Sequence, residues 1–530
     1  MTRLNELKHM LEAGRISRRE FMAQAAALGA TGALATTMLG GKARAAMPKK
    51  GGKLRIGIGH GSTTDTLDPA TFTDSYMQFV GYGLRNHLTE VSNTGELIPE
   101  LAESFEASPD AVTWTFKLRK GVEFHNGKTL DAADIVASIN HHLGEDSKSA
   151  AKAILAAIEE VKADGKDTVV FKMKSGNADF PFIVSDYHVA IMPAKDGKVE
   201  WQSGVGTGGY VLQSYEPGVR ASLKRNPNYW KEGRAHFDEA EALVITDVTA
   251  RTNALTTDEI DAMDRVDLKT VHLLKRNKKI RIEETSGTQH YTFAMRTDTP
   301  PFDNNDVRLA LKFAVDREAL LQSVLRGHGV LGNDHPIGRS NFYYASDLPQ
   351  RKYDPDKAKF HLKKAGLSSL KVDLSAADAA FAGAVDAAVL YREHAKKAGI
   401  DINVVREPND GYWSNVWMKK PWCAVYWGGR PTEDWMFSTA YAEGVPWNDT
   451  YWKHDRFNKL LKLARAELNQ AKRREMYVEM QKIVRDEGGV VVPMFANYVF
   501  AMSKKVQHED QMGADKDLDG TKGMERWWFA

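Results

Sequence analysis

The chain has 530 residues, of which 42% are hydrophobic and 27% are charged, and its 72 basic and 70 acidic residues give a formal net charge of +2. This composition is typical of a folded protein with a large core, and the length suggests about three to four domain-sized units. The near-neutral charge, without a long Lys/Arg block, argues against a nucleic-acid-binding protein.

The first 45 residues have the pattern of an export signal. Arg18 and Arg19 form a twin-arginine sequence, a weakly apolar stretch covers residues 23–39, and residues 43–45 match an A-x-A cleavage site. A short membrane anchor is less favoured because the stretch is rich in Ala, Gly and Thr and is too short to span a bilayer. We therefore expect export by the twin-arginine (Tat) pathway and a soluble, periplasmic mature protein.

The first half of the mature chain alternates strand and turn patterns. Lys53–Ile58 and Thr113–Leu118 alternate polar and apolar residues, which predicts strands. Asp131 precedes an amphipathic helix that Gly144 closes, and Asp134, three residues after Asp131, predicts a capping box.

Residues 204–209 match the G-x-G-x-x-G pattern of dinucleotide-binding proteins. That fingerprint requires a helix after the glycines, whereas residues 210–215 have a strand pattern and residues 216–218 a turn pattern. We therefore predict a flexible crossing between lobes rather than a nucleotide site.

The second half alternates helical patterns with short strand patterns, which predicts an α/β architecture. Asp354 and Pro355 predict the start of one helix and Gly366 its end. The other predicted helices cover residues 303–327 (two consecutive helices), 384–398, 457–466 and 471–485, and the predicted strands cover residues 400–405 and 490–493.

No catalytic motif and no metal-binding motif occurs in the sequence: there is no H-E-x-x-H, G-x-S-x-G, Walker loop or cysteine pair. We therefore predict neither catalytic residues nor a cofactor. Asp515, Asp517 and Asp519 have the spacing of a calcium loop, but Arg526 occupies the twelfth position, where such a loop needs a bidentate acid. We interpret the segment as an acidic surface turn and leave calcium binding open.

A tryptophan-rich stretch is the strongest candidate for a ligand site. Residues 413–452 hold seven of the twelve tryptophans, and an apolar strand pattern over residues 423–427 stops at Gly428. The acids Glu433 and Asp434 follow. Aromatic faces beside a few charges at a strand end suit a pocket for a small polar organic molecule. The alternative interpretation is that these tryptophans fill the core.

Arg430, close to Trp427, is the most informative residue of this stretch. A guanidinium there can bind a carboxylate or phosphate through two parallel hydrogen bonds. The alternative is an ordinary salt bridge to Glu433 or Asp434, and those acids are equally suited to hold the ammonium group of a ligand. The residues alone leave these roles open.

Seven motifs, in this order, resemble bacterial extracellular solute-binding proteins of family 5, the peptide, opine and nickel receptors of ABC importers. The segments LRKGVEFHNG and RNPNYW are the most specific, and the resemblance covers nearly all of the mature chain. The motifs lie at residues 67–69, 97–105, 115–127, 206–210, 225–230, 306–327 and 353–358.

The resemblance implies a two-lobe, α/β periplasmic binding protein fold of type II, in its large three-subdomain form with a hinge between the lobes. The implied divisions are the signal peptide at 1–45, the main subdomain of lobe I at 46–87, 205–288 and 500–530, the extra subdomain of lobe I at 88–204, and lobe II at 289–499.

The implied function is capture of a small peptide-like or opine/amino-acid-conjugate solute by hinge closure, followed by delivery to ABC permease subunits in the inner membrane. We expect a monomer without enzymatic activity and without a nucleic-acid partner. The alternatives are a metal-chelate receptor of the nickel type with the same fold or, less favoured, a Tat-exported enzyme.

In peptide-binding members of the family, a strand-end loop carries a Trp followed three residues later by an Asp that binds the peptide ammonium. The matching residues here are Trp427 and Arg430, so the charge is reversed. This departure predicts a solute with an anionic group near Arg430. The predicted ligand-binding residues, several of them placed only by the spacing of the resemblance, are Trp427, Gly428, Arg430, Glu433, Asp434, Thr73, Asp74, Ser75 and Asn497.

Overall fold

Three β-sheets, each assembled from different parts of the chain, organise the structure. The computed structural model describes residues 48–530 except Asp146 and Asp410, and Lys50–Phe529 form one compact unit. The predicted export signal lies outside the described residues. Within the described residues, none of the helices has the length and apolar character needed to cross a bilayer.

A seven-stranded mixed sheet contains the first predicted strand, Lys53–Ile58, near its centre. This strand pairs in parallel with Glu239–Val244 on one side and with Ala262–Met263 on the other. Its apolar residues pack into a core that includes the helix Ser75–Leu84. The strand order is Tyr210–Glu216, Arg220–Arg225, Glu239–Val244, Lys53–Ile58, Ala262–Met263, Tyr498–Ser503 and Ile280–Thr285.

A four-stranded antiparallel sheet packs against the helix Ala132–Leu143 around a core of its own. The predicted capping box is confirmed, because the Asp131 carboxylate accepts hydrogen bonds from Ala133 N (3.0 Å) and Asp134 N (3.3 Å). The Asp134 carboxylate in turn accepts from Asp131 N at 3.0 Å. The strand order is Ala102–Ala107, Thr113–Leu118, Thr168–Met173 and Ile158–Ala163.

A six-stranded mixed sheet lies in the largest of the cores. Its strand order is Gly329–Leu331, Val490–Ala496, His290–Met295, Trp422–Trp427, Leu370–Ala376 and Ile400–Arg406. The helix Pro355–Lys364 begins after Asp354, whose carboxylate accepts from Lys357 N at 2.9 Å, and Gly366 follows its end at φ +80°, both as predicted.

The helices of eight or more residues provide most of the layers that cover these sheets. They are Ser75–Leu84, Ala132–Leu143, Val248–Thr256, Asn305–Phe313, Arg317–Val324, Pro355–Lys364, Ala384–Lys396, Glu433–Ala440, Asp455–Ala466 and Gln470–Glu487.

Two short crossings connect the seven-stranded sheet with the six-stranded sheet. Residues 286–289 join Ile280–Thr285 to His290–Met295, and Asn497 alone joins Val490–Ala496 to Tyr498–Ser503. The two crossings pack closely, since a Cβ added to Gly287 would lie 2.4 Å from the Ala496 carbonyl oxygen.

The glycine-rich segment at residues 204–209 differs from expectation in its packing. It is followed by the strand Tyr210–Glu216, which excludes the dinucleotide fingerprint as predicted. A Cβ added to Gly206 would lie 2.2 Å from the Leu84 carbonyl oxygen, and Gly208 N donates to that same oxygen at 2.9 Å. The prediction of a flexible crossing is therefore wrong, because these glycines let two backbones pack directly together.

The predicted acidic surface turn near the C-terminus is also wrong, since Asp517 and Asp519 are buried. The Asp519 carboxylate accepts from Gly513 N at 2.6 Å and forms an ion pair with Arg526 at 3.1 Å. The residue at the twelfth loop position thus serves as the cationic partner of one of the acids. No group of three or more His, Cys, Asp or Glu side chains converges as metal ligands would in the described part of the chain.

Candidate functional site

Two loops meet close to Arg430, and a third loop contacts one of them. The loop after Trp422–Trp427 reaches the segment at residues 185–188, where Pro431 and Asp186 line one small cavity of about 20 Å³. The third loop precedes the helix Ser75–Leu84. Segments that pack on different sheets therefore meet in one place, which is the arrangement expected of a cleft between two lobes.

His188 connects the middle segment to the loop before Ser75. Its Nε2 lies 2.8 Å from the Phe72 carbonyl oxygen, and its Nδ1 lies 2.6 Å from the Asp186 carboxylate. Because both ring nitrogens are engaged, the His188 ring is fixed in place, and the Tyr187 ring packs against it with 3.9 Å between the ring centroids. Tyr187 is half-buried between these loops.

Trp427, the last residue of its strand, is locked in orientation by a buried acid. Its Nε1 donates to Asp449 Oδ2 at 3.1 Å, and Trp417 Nε1 donates to the same oxygen at 3.2 Å. Burial raises the pKa of Asp449 to about 6, although both indole hydrogen bonds favour its charged form. Trp427 is 6% exposed and packs against the rings of Trp417 and Trp447, so its role as a ligand contact stays a prediction.

Gly428 and Gly429 bring the loop after Trp427 directly onto the crossing between the sheets. A Cβ added to Gly429 would lie 1.5 Å from Thr288 Oγ1, so no larger residue fits there without displacing the crossing. This contact places Arg430 beside the crossing that we regard as a hinge.

Arg430 uses only part of its hydrogen-bonding capacity within the protein. Its Nη1 donates to the carbonyl oxygens of Gly428 (3.0 Å) and Gly429 (3.2 Å). Among residues 48–530 apart from 146 and 410, no carboxylate lies within ion-pair distance of its guanidinium. Burial lowers the pKa of Arg430, while nearby Tyr187 and Asp186 oppose that lowering.

Glu433 and Asp434 bond to other parts of the protein and not to Arg430. Glu433 accepts a hydrogen bond from Tyr343 N at 2.6 Å, and Asp434 forms an ion pair with Arg465 at 3.1 Å. Burial raises the pKa of Glu433 to about 7 and that of Asp434 to about 6. The alternative in which either acid pairs with Arg430 is therefore not observed.

The residues predicted on the first lobe, Thr73, Asp74 and Ser75, lie together at the start of the helix Ser75–Leu84. Asp74 caps the helix Ser75–Leu84 by accepting from Met77 N at 2.9 Å, beside the exposed Thr73. The Ser75 hydroxyl is buried without a hydrogen-bond partner in the described part of the chain.

Asn497 lies at the crossing between the sheets. Its side-chain amide donates to Glu284 at 2.6 Å, and its backbone N donates to the His328 carbonyl oxygen at 3.3 Å. His328 also contacts Glu284, through Nδ1 at 2.8 Å. These contacts tie Asn497 to the crossing, and none of them reaches Arg430.

Sequence reasoning missed Tyr187, His188 and Asp449. None of the three lies in a periodic pattern or in a motif that carries the resemblance, and their roles depend on contacts with residues remote in the chain. Their only sequence signal is local, an aromatic–histidine pair after Asp186 and an acid within the tryptophan-rich stretch.

Residues 96–449 match the family model described as bacterial extracellular solute-binding proteins, family 5 middle region. The chain belongs to this family. Its expected membership is thereby confirmed.

Relatives and solved structures agree with this assignment. The dipeptide-binding protein of Escherichia coli (strain K12) is 27% identical over 466 residues, which cover 80% of this chain and 86% of the relative. The structure of HbpA2 from Haemophilus parasuis matches with a TM-score of 0.81 at 20% identity, over 90% of this chain and 100% of the other.

The structure of the PBP AgaA from A. tumefaciens R10, in complex with agropinic acid, matches with a TM-score of 0.71 at 23% identity, over 90% and 99% of the two chains. At these identities the two solved structures show the fold alone. That fold is the two-lobe α/β fold of type II periplasmic binding proteins, as predicted.

Proposed function

We propose that this protein is the periplasmic solute-binding component of an ABC importer, exported by the Tat pathway and active as a monomer. It captures a small peptide-like or opine/amino-acid-conjugate solute that carries an anionic group, and it delivers the solute to the permease. The seven-stranded and four-stranded sheets belong to lobe I, and the six-stranded sheet to lobe II, with the divisions given by the family resemblance.

The observation that carries this proposal is the state of Arg430. A half-buried guanidinium is costly when no anion compensates it, and the described residues supply only two carbonyl oxygens, both to Nη1. Nε and Nη2 donate to no acceptor among the described residues and are free for a carboxylate, which a guanidinium binds through two parallel hydrogen bonds. Trp427, fixed by Asp449 and only 6% exposed, anchors the end of the strand that leads into the loop carrying this charge.

Closure of the lobes explains how binding is signalled. The loop that carries Arg430 rests on the crossing at residues 286–289 through Gly429 and Thr288. A solute that contacts both lobes stabilises the closed form in proportion to its extra contacts there, and no bond is made or broken. The permease then recognises the closed form.

The names of the relatives are compatible with this class of solute. One is named for a dipeptide, and one was solved with agropinic acid. A metal-chelate receptor is the alternative within the family, because a chelate can also present a carboxylate to Arg430. Elemental analysis of the purified protein, with and without prior chelator treatment, distinguishes the two.

The test uses a defined pool of solutes. The pool contains acidic dipeptides, neutral dipeptides and N-carboxyalkyl amino acids. Each member is present with its carboxyl group free or amidated. Members retained by the protein are identified by mass spectrometry, and their affinities are measured by titration calorimetry. We expect the wild-type protein to retain members with a free carboxyl group.

Arg430→Ala should lower the affinity for those members by about 30-fold or more, because it removes charge-assisted hydrogen bonds of about 2 kcal/mol or more. The matched control is Arg474→Ala, since Arg474 is exposed and, among the described residues, bonds only to the Tyr344 carbonyl oxygen at 3.3 Å. Unchanged affinity in Arg430→Ala, with an unaltered unfolding temperature, would remove Arg430 from the site.

A further inference from the structure

A buried ion pair joins the region of the four-stranded sheet, on lobe I, to lobe II. Asp179 Oδ1 lies 2.7 Å from Arg473 Nη2, and the two residues are 5% and 6% exposed. Beside this pair, Ala178 N donates to the Arg465 carbonyl oxygen at 2.7 Å. We call these two bonds the lobe contact.

Each side of the lobe contact is held in place by its own lobe. On lobe I, Asn177 N donates to the Ala111 carbonyl oxygen at 3.0 Å, and Trp114 Nε1 donates to the Asn177 carbonyl oxygen at 3.1 Å. On lobe II, Arg473 Nε donates to the Ala464 carbonyl oxygen at 3.1 Å. Both sides are thus positioned before they meet, so little ordering is required when the lobes approach each other.

The lobe contact differs from the polar contacts at the crossings between the sheets. His328 Nδ1 lies 2.8 Å from Glu284, but Glu284 is only two residues from the crossing at residues 286–289. The chain keeps such neighbours together whether the cleft is open or closed. Asp179 and Arg473 belong to segments that neither crossing connects. A hinge motion about the crossings therefore separates this pair.

The lobe contact is also linked to the loop that carries Arg430. Arg465, whose carbonyl oxygen accepts from Ala178 N, forms an ion pair with Asp434 at 3.1 Å through its side chain. Asp434 follows Arg430 by four residues, at the start of the helix Glu433–Ala440. One residue of lobe II thus contacts both the other lobe and the helix that follows the proposed solute-binding loop.

The charges of Asp179 and Arg473 favour the closed form only when both are present. In the closed form each charge is out of water and is compensated by the other, whereas in the open form water solvates both. Removal of one partner leaves the other charge buried and unpaired in the closed form alone. Closure then becomes less favourable, and the observed affinity falls for any solute that binds the closed form.

We propose that Asp179 and Arg473 are positioning residues for solute capture, whose ion pair forms as the lobes close and sets the affinity for every solute alike. This inference rests on the proposed function and adds to it a determinant of affinity that does not touch the solute. Arg430 selects the solute by its anionic group. The Asp179–Arg473 pair selects the closed conformation.

The test combines Asp179→Asn, Arg473→Met and the double variant with the solutes that the wild-type protein retains from the pool. Each single variant should weaken all of these solutes by a similar factor of at least about ten. The double variant has no unpaired buried charge at this place, so its affinities should recover to within about threefold of wild type. Titration calorimetry measures the affinities, and denaturant titration checks that each variant folds.

The dissociation rate provides a second measurement, because a solute leaves only after the lobes separate. In stopped-flow tryptophan fluorescence, each single variant should release its solute at least about tenfold faster, in step with the loss of affinity. The matched control is Glu479→Gln. It breaks an exposed ion pair with Arg456, 2.9 Å long and entirely within lobe II, and should change neither the affinity nor the rate.

Three results would overturn the proposal: unchanged affinity in both single variants, a loss that the double variant does not recover, or a loss confined to some solutes. In each case a separate effect of Arg430→Ala would leave the proposed function standing. If the wild-type protein retains no member of the pool, the proposed solute class fails, and small-angle scattering of the solute-free protein tests the lobe contact by itself. Asp179→Asn should then have a larger radius of gyration than wild type, and an equal radius overturns the proposal.

Discussion

Glu433 should make the stability of this protein depend on pH in a direction unusual for a carboxylate. Its side chain is buried, accepts a hydrogen bond from Tyr343 N at 2.6 Å, and has its pKa raised from 4.5 to about 7, chiefly by burial. The substitution Glu433→Gln keeps the shape and an acceptor oxygen for Tyr343 N but cannot ionise. It therefore isolates the cost of the charge.

The size and sign of the effect follow from this shift. A rise from 4.5 to about 7 means that ionisation costs the folded state about 3 kcal/mol more than the unfolded state, at about 1.4 kcal/mol per pH unit. The stabilising preference for the neutral carboxyl is complete below pH 4.5, where both states are protonated. It is lost as the pH rises to about 7, because the unfolded chain releases its proton first.

The assay compares the free energies of unfolding of wild-type protein and Glu433→Gln across that pH range, measured by denaturant titration with tryptophan fluorescence. Most other titrating groups are common to both proteins and cancel in the difference. We expect the variant to gain about 3 kcal/mol relative to wild type between pH ~4.5 and pH ~7 and to gain little above that. Glu475→Gln, on the exposed side of the helix Gln470–Glu487, is the control and should show a flat difference.

A difference for Glu433→Gln that stays constant with pH would refute this reasoning. It would mean that the carboxylate is solvated in the folded state and therefore open to the cleft. That result would return Glu433 to the set of direct ligand-binding residues that the sequence predicts.

Two further predictions concern the tryptophan-rich stretch and its loop. Gly429→Ala should destabilise the protein by about 1–3 kcal/mol, because its Cβ would collide with Thr288; unfolding titrations should show partial recovery when Thr288→Gly is added. Trp422→Ala should cost about 3–5 kcal/mol, since Trp422 is 1% exposed, whereas Trp447→Ala, at 49% exposed, should change the unfolding free energy by about 0.5 kcal/mol or less. Equal losses from the two tryptophans would contradict the core assignment.

Local features of the fold could be predicted because they depend on neighbouring residues. The caps formed by Asp131 and Asp354 involve backbone groups two or three residues away, and the two helices between residues 303 and 327 follow from apolar periodicity. The strand at residues 490–493 was expected to be short, but the structure extends it to Ala496, because it pairs with strands on both sides.

The candidate site could be predicted only in part. The strand ending at Trp427 and the loop carrying Arg430 follow from an apolar run stopped by two glycines. The partners of the charged side chains do not. Asp434 binds Arg465 and the indole of Trp427 binds Asp449, and such choices depend on which segments the fold brings within about 3 Å.

The sequence by itself therefore determined the family, the α/β class and the unusual arginine three residues after Trp427. Tertiary structure alone decided that Glu433 and Asp434 bond to other parts of the protein and that Arg430 has no acid partner in the described chain. The physical reason is that motifs and helix caps are written within a few consecutive residues. Charge compensation, by contrast, depends on burial and on distances between side chains that only the packed lobes establish.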